Sequence, residues 1–242
     1  SATRMNAGNM SFSDVKEKDW FYGDVMRLVN MGAIAGYGDG TFRPKDSITR
    51  AEFVKILVTS LKFDIVSWGS FPDTENHWSS DYISTAIAYR VIDEADYGDS
   101  FEPDKPISRL EMAKMLIRAL KVDTDDVGKG PFEDISSKYT TTAYREHLIT
   151  GSFTNGKRYF HPEDNTSRAE ASAVIARAID YNADPYGYKE QKEKEAKEKK
   201  KAELAAKNLP YIHSGKKPTQ AQVLNLLREY DKDGYFILNE TI

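Results

Sequence analysis

The chain has 242 residues, with 34 lysine and arginine residues against 38 aspartate and glutamate residues, and a formal net charge of −4 at pH 7. This balance argues against a general nucleic-acid binder, which would carry a basic domain. The sequence contains no cysteine, which excludes a disulfide framework, thiol catalysis and thiolate metal sites. No apolar stretch approaches the roughly 20 residues that a membrane-spanning helix needs.

The chain begins with a short polar segment and then enters a first structured unit. Residues 1–11 are small and polar, lack the pattern of a signal peptide, and are expected to form a disordered leader. The first unit covers residues 12–65. Its apolar pattern predicts a helix over about 19–31, with Gly32 as the C-terminal cap. A glycine-dense loop over residues 34–44 follows this helix.

A heptapeptide after this loop occurs three times, at residues 48–54, 107–113 and 166–172. Each copy contains a Ser or Thr, then Arg, and a Glu three residues after the Ser or Thr, which is a capping box that starts a helix. Apolar residues then recur on one helical face. The arginines of the three copies are 59 residues apart along the chain: Arg50, Arg109 and Arg168.

The other features of the first unit return with the heptapeptide, which defines a second unit at residues 66–125 and a third at residues 126–183. Each unit opens with Phe-x-Asp, continues to an aromatic residue, and ends its loop in Phe-x-Pro, with the Phe eight residues before the arginine. Units of this size are marginally stable alone, so we expect them to share a core. The sequence therefore predicts a mainly α fold of three helix–loop–helix repeats.

The composition changes after the third unit. Residues 184–208 are rich in lysine and glutamate at i, i+4 spacing without a sustained apolar stripe, which predicts a charged, solvated helical linker. Residues 209–242 carry one short amphipathic run and are expected to be the start of a truncated downstream region. The Asp-Lys-Asp-Gly stretch at residues 231–234 is interpreted as a turn, because its glycine comes too early for a calcium-binding EF-hand loop.

The arginine is the one part of the heptapeptide that helix-start physics does not explain. It occupies the first helical position, where the positive end of the helix dipole disfavours a cation by roughly 0.3–1 kcal/mol. Three arginines at this position indicate a neighbouring anion, either a protein carboxylate or a ligand. The structural interpretation is an ion pair with the aspartate of the same repeat, which would fix the loop to the helix.

Over residues 12–182 the pattern resembles a triplet of S-layer homology (SLH) domains. The features that carry the resemblance are Phe-x-Asp near each start, the aromatic residue after it, the glycine-rich loop ending in Phe-x-Pro, and the closing Thr/Ser-Arg-x-Glu. The resemblance implies a pseudo-threefold, three-pronged assembly around a central helical bundle. It also implies an exported Gram-positive bacterial protein, located extracellularly at the cell wall or S-layer, that binds secondary cell wall polysaccharide carrying ketal-linked pyruvate.

Such a ligand is an acid, which suits these residue types. The planar fork of arginine binds carboxylates through two hydrogen bonds, and loop glycines allow close approach of the backbone. We hypothesise grooves between adjacent repeats, in which the aspartates orient the arginines or accept sugar hydroxyls, and we favour the first two repeats over the more divergent third. The tryptophans could offer an apolar face to the sugar, although core packing is the preferred interpretation. The predicted ligand-binding residues are Asp14, Trp20, Gly38, Asp39, Gly40, Arg50, Asp73, Trp78, Gly98, Arg109, Asp134, Tyr139, Gly156 and Arg168.

An enzymatic function is not expected. The four histidines show no metal-binding spacing, and no nucleophile elbow occurs. We predict a non-catalytic module without cofactor or metal, with wall polysaccharide as its partner and an S-layer or cargo protein as a second kind of partner. The rival hypothesis is a protein-interaction or S-layer self-assembly module in which the arginines are structural. A soluble repeat scaffold for a peptide partner is the third.

Overall fold

The computed structural model describes residues 11–69, 71–125 and 128–213, with side chains up to residue 203. The expectations for the leader before residue 11 and for residues 214–242, including the amphipathic run and the turn, lie outside these ranges. The described part is mainly helical, as predicted. Its helices and strands are α1 (Tyr22–Asn30), α2 (Arg50–Ser60), α3 (Ser80–Ala88), α4 (Arg109–Ala119), α5 (Lys138–Arg145), β1 (Ser152–Thr154), β2 (Lys157–Tyr159), α6 (Arg168–Ala183) and α7 (Pro185–His213).

The chain divides into two compact units after residue 186. The first contains α1–α6 and the hairpin, and short 3-10 turns lie at Pro72–Thr74 and Glu94–Asp96. The described portion of the second unit is the larger part of α7. The lysine- and glutamate-rich segment is thus helical, as its charge spacing indicated, and its role as a linker stays a prediction.

Helices α2, α4 and α6 all start with the same reciprocal cap. The Thr49 hydroxyl accepts a hydrogen bond from the Glu52 N–H at 3.2 Å, and the Glu52 carboxylate accepts one from the Thr49 N–H at 2.9 Å. Ser108 and Ser167 repeat this arrangement. Each cap satisfies two backbone N–H groups that a helix start leaves without partners. The predicted capping boxes are confirmed.

Each helix that begins with the heptapeptide packs on the opening helix of a different repeat. Helix α2 packs on α3 of the second repeat, α4 on α5 of the third, and α6 on α1 of the first. The phenylalanines of the three Phe-x-Pro segments are fully buried: Phe42, Phe101 and Phe160. Burial of their rings supplies apolar stabilisation beside the joints between repeats.

The three heptapeptides meet through their backbones in the core. The Ile48 N–H donates to the Thr166 carbonyl at 2.9 Å, the Thr166 N–H to the Ile107 carbonyl at 3.0 Å, and the Ile107 N–H to the Ile48 carbonyl at 3.0 Å. All three residues are fully buried. We call this arrangement the backbone triangle, because each residue donates to one of the others and accepts from the remaining one.

The loop of the third repeat contains a β-hairpin that the sequence analysis did not predict. Strands β1 and β2 pair antiparallel and are joined by Asn155 and Gly156, with φ angles of 52° and 78°. Positive φ at both central residues is required by a type I′ turn, for which Asn-Gly is the preferred sequence. The Asn-Gly pair was therefore a usable signal. Helix α1 also starts at Tyr22, three residues later than expected, and Phe21 before it provides no side-chain cap.

Candidate functional site

The arginine of the first heptapeptide crosses to the second repeat. The Arg50 side chain is 9% exposed, and its Nε and Nη2 lie 2.8 and 2.6 Å from Oε1 of Glu111. Its Nη1 donates to the Phe101 carbonyl at 2.7 Å and to the Glu102 carboxylate at 3.2 Å. The anion beside the arginine at the start of α2 is thus Glu111, the capping-box glutamate of the second repeat.

Arg109 joins the second repeat to the third in the same manner. Its Nε donates to the Phe160 carbonyl at 2.8 Å, and its Nη1 donates to Oε1 of Glu170 at 3.0 Å. The Glu170 side chain is 39% exposed, against 19% for Glu111, so water screens this pair more strongly.

Arg168 joins the third repeat back to the first. Its Nε donates to the Phe42 carbonyl at 2.9 Å and its Nη2 to the Ala35 carbonyl at 2.7 Å. The carboxylate of Glu52 lies farther away, 3.4 Å from Nη1. Carbonyl oxygens therefore satisfy more of this guanidinium than the carboxylate does. The three arginines together link the repeats in the order first to second, second to third and third to first.

The aspartates that open each repeat bind loop backbone rather than arginine. The Asp14 carboxylate accepts hydrogen bonds from the N–H groups of Phe42 and Arg43 at 2.8 and 2.7 Å. Asp73 and Asp134 hold the matching loop amides in the second and third repeats. The expected ion pair between each arginine and its own aspartate is therefore wrong. Each aspartate instead fixes the loop whose phenylalanine carbonyl accepts from an arginine of another repeat.

These backbone contacts favour the ionised aspartates. Burial raises the pKa of Asp73 and of Asp134, but hydrogen bonds to the carboxylates, chiefly from loop N–H groups, outweigh it, and both pKa values lie below the usual aspartate range.

The first-repeat loop is ordered by its own side chains. The hydrogen bond from the Thr41 hydroxyl, followed by that from the Arg43 guanidinium, lowers the pKa of Asp39 to about 2. Gly40 has a φ of +79°, and a Cβ there would meet no neighbouring atom, so the turn conformation rather than close packing requires glycine. Gly98 has a positive φ as well, and Gly38 also has open space around it. The contact of these glycines with a ligand stays a prediction.

The aromatic residues near the start of each repeat are arranged differently from our expectation. Trp20 and Trp78 are 65% and 55% exposed, so their expected packing in the core is wrong. Tyr139 is partly buried beneath Arg118, whose guanidinium carbon lies 5.0 Å from the ring centroid and whose Nε donates to the hydroxyl at 3.3 Å. Two of the three repeats thus present an indole to solvent, and the third covers its phenol with a cation.

One cavity combines an exposed indole with a heptapeptide arginine. It has a volume of about 320 Å³ and is lined by Trp78, Arg168, Glu52, Lys55 and residues 33–37. We call it the first groove. It draws side chains from all three repeats, because α6 approaches the first repeat while α3 packs on α2. An indole face beside an ammonium group and the edge of a guanidinium suits a sugar ring that carries an acid.

Lys55 is the groove residue that the sequence analysis missed. It lies five residues after Arg50, and Lys114 occupies the same place after Arg109. This repeated lysine was a detectable signal. Its position on the wall of a cavity depends on the packing between repeats and could not be inferred from spacing.

Two larger cavities, of about 550 and 540 Å³, lie elsewhere in the described part of the chain. Residues 129–136 line one of them, and the lining of the other includes Asp39 and Gly40. Neither lining contains a heptapeptide arginine or an exposed tryptophan. We therefore take the first groove as the candidate site. It unites Trp78 and Arg168 of the predicted set, while Trp20 and Tyr139 belong to the separate joints α1–α6 and α4–α5.

Comparison with protein families gives matches in the first and second repeats. The family model of the S-layer homology domain matches residues 11–54 and 70–113. These segments coincide with most of the first and second repeats and contain their capping boxes. The third repeat lies outside them.

Several curated proteins are similar to a large part of this chain. The S-layer protein EA1 of Bacillus anthracis is 34% identical over 176 residues, covering 70% of this chain and 20% of that protein. An uncharacterized cell wall amidase of Bacillus anthracis is 32% identical over 185 residues, covering 74% of this chain and 34% of that protein. The cellulosome-anchoring protein of Acetivibrio thermocellus is 32% identical over 120 residues, covering 47% of this chain and 26% of that protein. The chain thus spans about a third or less of each relative.

Proposed function

We propose that the chain is a non-enzymatic cell-wall anchoring module that binds pyruvylated secondary cell wall polysaccharide in grooves between SLH repeats. The proposal treats residues 126–183 as a third SLH repeat and places the three repeats around a pseudo-threefold axis. The third capping box and the backbone triangle support this arrangement. The module would act at the bacterial cell surface, with α7 spacing it from a cargo.

The observation that carries the proposal is the chemistry of the first groove. Trp78 offers an apolar ring face, and Lys55 and Arg168 supply positive charge to the lining of the same cavity, where Glu52 faces Arg168 and leaves Lys55 unpaired among the described residues. A sugar with a pyruvyl ketal presents an apolar ring face and a carboxylate, which are the two features that such a site recognises.

The relatives support anchoring rather than catalysis. Proteins named as an S-layer protein, a cell wall amidase and a cellulosome-anchoring protein share similarity with this chain, which spans a minority of each of them. A segment that recurs in proteins of such different names suits a common attachment function. The chemistry named for the amidase would then belong to another part of that protein.

One observation favours the rival module with structural arginines. Arg50 and Arg168 are buried and engaged by carbonyls and carboxylates of other repeats. We therefore propose that the arginines mainly join the repeats and that Arg168 offers only its groove-facing edge to a ligand. Direct ligand contact by Arg50 and Arg109 stays a prediction.

Calorimetric titration with a short wall saccharide, with and without its pyruvyl ketal, tests the proposal. We expect binding only with the ketal, and a loss of at least about tenfold in affinity for Lys55→Gln and for Trp78→Ala. Lys62→Gln, which removes an exposed lysine outside the groove lining, is the matched control. A parent protein that ignores the ketal would refute the proposed ligand. Unchanged binding by both groove variants would refute the site.

A further inference from the structure

The three repeats differ in charge at one position after the heptapeptide arginine. The residue five places after the heptapeptide arginine is Lys55 in the first repeat, Lys114 in the second and Ala173 in the third. Lys55 lines the first groove, and its ammonium group has no hydrogen bond or ion pair with another residue in the described part of the chain. Its ammonium group is therefore available to an anionic ligand.

In the second repeat the corresponding lysine already has a carboxylate. Lys114 Nζ donates to Oδ1 of Asp96 at 2.8 Å, and Arg118 Nη1 donates to Oδ2 of Asp96 at 2.7 Å. The Asp96 side chain is only 26% exposed. Because both oxygens of one carboxylate bind a cation, Asp96 makes the contacts that the carboxylate of an acidic sugar would make.

We call Lys114, Arg118 and Tyr139, the counterparts around the α4–α5 joint, the second site, and its aromatic ring is also engaged. Arg118 lies over the ring of Tyr139 while it binds Asp96, so the cation that neutralises the carboxylate also covers the phenol. Burial raises the pKa of Asp96, but hydrogen bonds from Lys114 and Arg118 outweigh this effect, and the pKa lies below the usual aspartate range. Asp96 therefore remains ionised at neutral pH. In the first groove Tyr37 stands 59 residues before Asp96, and the carboxylate in the lining, Glu52, lies 3.4 Å from Arg168 and makes no ion pair with Lys55.

We infer that Asp96 is an internal competitor that closes the second site, so that the first groove is the principal saccharide site of this chain. This inference rests on the proposed anchoring function and assigns it to one groove. A competitor carried by the same chain acts at an effective concentration on the order of millimolar or more. A free saccharide must exceed that concentration to displace Asp96, whereas no displacement is needed at Lys55.

The test measures the stoichiometry of binding to a methyl glycoside that carries a pyruvyl ketal. The parent should bind one equivalent, and Asp96→Asn should bind two, because the amide no longer neutralises Lys114 and Arg118. In the Asp96→Asn background, Lys55→Gln should leave one equivalent. Glu94→Gln, which removes an exposed carboxylate two residues away, is the control and should bind like the parent.

A second readout does not depend on the saccharide. Acetylation of lysine amines, followed by mass spectrometry, should modify Lys114 more slowly than Lys55 in the parent, because the Asp96 carboxylate holds the Lys114 amine and restricts the approach of the reagent. Asp96→Asn should raise the Lys114 rate at least about fivefold and leave the Lys55 rate unchanged.

The outcomes separate this inference from the proposed function. If the parent binds one equivalent and Asp96→Asn adds none, the inference is wrong and the anchoring proposal stands. If the parent binds two equivalents, the inference is also wrong. If no variant binds the glycoside, the proposed ligand fails, and the inference falls with it. An unchanged Lys114 rate would refute the pairing itself.

Discussion

Removing the Glu111 carboxylate should destabilise the protein more than removing either of its counterparts in the other repeats. Glu111 satisfies a helix start through its capping box and neutralises Arg50, whose side chain is 9% exposed. In Glu111→Ala the lost cap costs about 1 kcal/mol. Breaking a buried ion pair by removing one partner costs roughly 3–5 kcal/mol. The Phe101 carbonyl and Glu102 still contact Arg50 in this variant. We therefore expect Glu111→Ala to lower the free energy of unfolding by about 3–4 kcal/mol in all.

The counterparts should cost less for reasons of geometry. Glu170 is more exposed and makes one hydrogen bond to Arg109, so Glu170→Ala should cost about 1–2 kcal/mol including its cap. Glu52 is 3.4 Å from Arg168, which two carbonyls already satisfy, and Glu52→Ala should cost about 1 kcal/mol.

Equilibrium urea unfolding followed by far-UV circular dichroism measures these differences, with the m-value as a check on the unfolding transition. The double variant Arg50→Met/Glu111→Gln provides a further test. It should lose less stability than Glu111→Ala, because no uncompensated charge is left in the joint. The reasoning is refuted if Glu111→Ala costs no more than Glu170→Ala. It also fails if the double variant is less stable than Glu111→Ala.

Three further changes test other parts of the fold. The Thr166 hydroxyl is buried without a hydrogen-bond partner among the described residues. Thr166→Val removes this hydroxyl and should therefore raise the free energy of unfolding by about 1 kcal/mol. A loss of stability in this variant would contradict the prediction. The pKa of Asp134 is lower in the folded protein than in the unfolded chain, so its ionised carboxylate contributes fully to stability above the usual aspartate range near pH 4. This stabilisation declines as the pH falls through the pKa of the folded protein. Asp134→Asn should therefore flatten the change in urea midpoint between about pH 5 and pH 3, and an unaltered slope would count against the assignment. Gly151→Ala should lower the free energy of unfolding by more than about 2 kcal/mol, because its φ is positive and the added Cβ would clash with the Tyr159 carbonyl. Gly32→Ala has a positive φ but open space around it, so the same unfolding assay should show a loss of about 1 kcal/mol. Equal losses for the two variants would exclude the clash.

The parts of this fold that the sequence predicts are those determined within one or two helical turns. A capping box needs only residues three apart, and a helical face needs only the spacing of apolar residues, so the starts and buried faces of α2 and α4 were predicted correctly. The hairpin at Asn155 and Gly156 belongs to the same group. Its turn signal is local, and it was missed because no strands were predicted in the loop of the third repeat.

The candidate site depends on contacts that local patterns do not determine. Arg50 and Glu111 are 61 residues apart, and Arg168 and Ala35 are 133 residues apart. The sequence showed that an anion was needed at the helix start, but many carboxylates could have met that need. Only the packing of one repeat on the next selects among them, and the same packing places Lys55 beside Trp78.

The cyclic order of the contacts changes what the loss of one repeat would do. In a linear array of repeats each unit contacts only its neighbours, so deleting a terminal unit breaks one interface and leaves the others intact. Here the arginine links also run from the third repeat to the first, and the backbone triangle needs one residue from each. Deleting any repeat therefore breaks two of the three interfaces. We therefore expect the three repeats to unfold together as one cooperative unit.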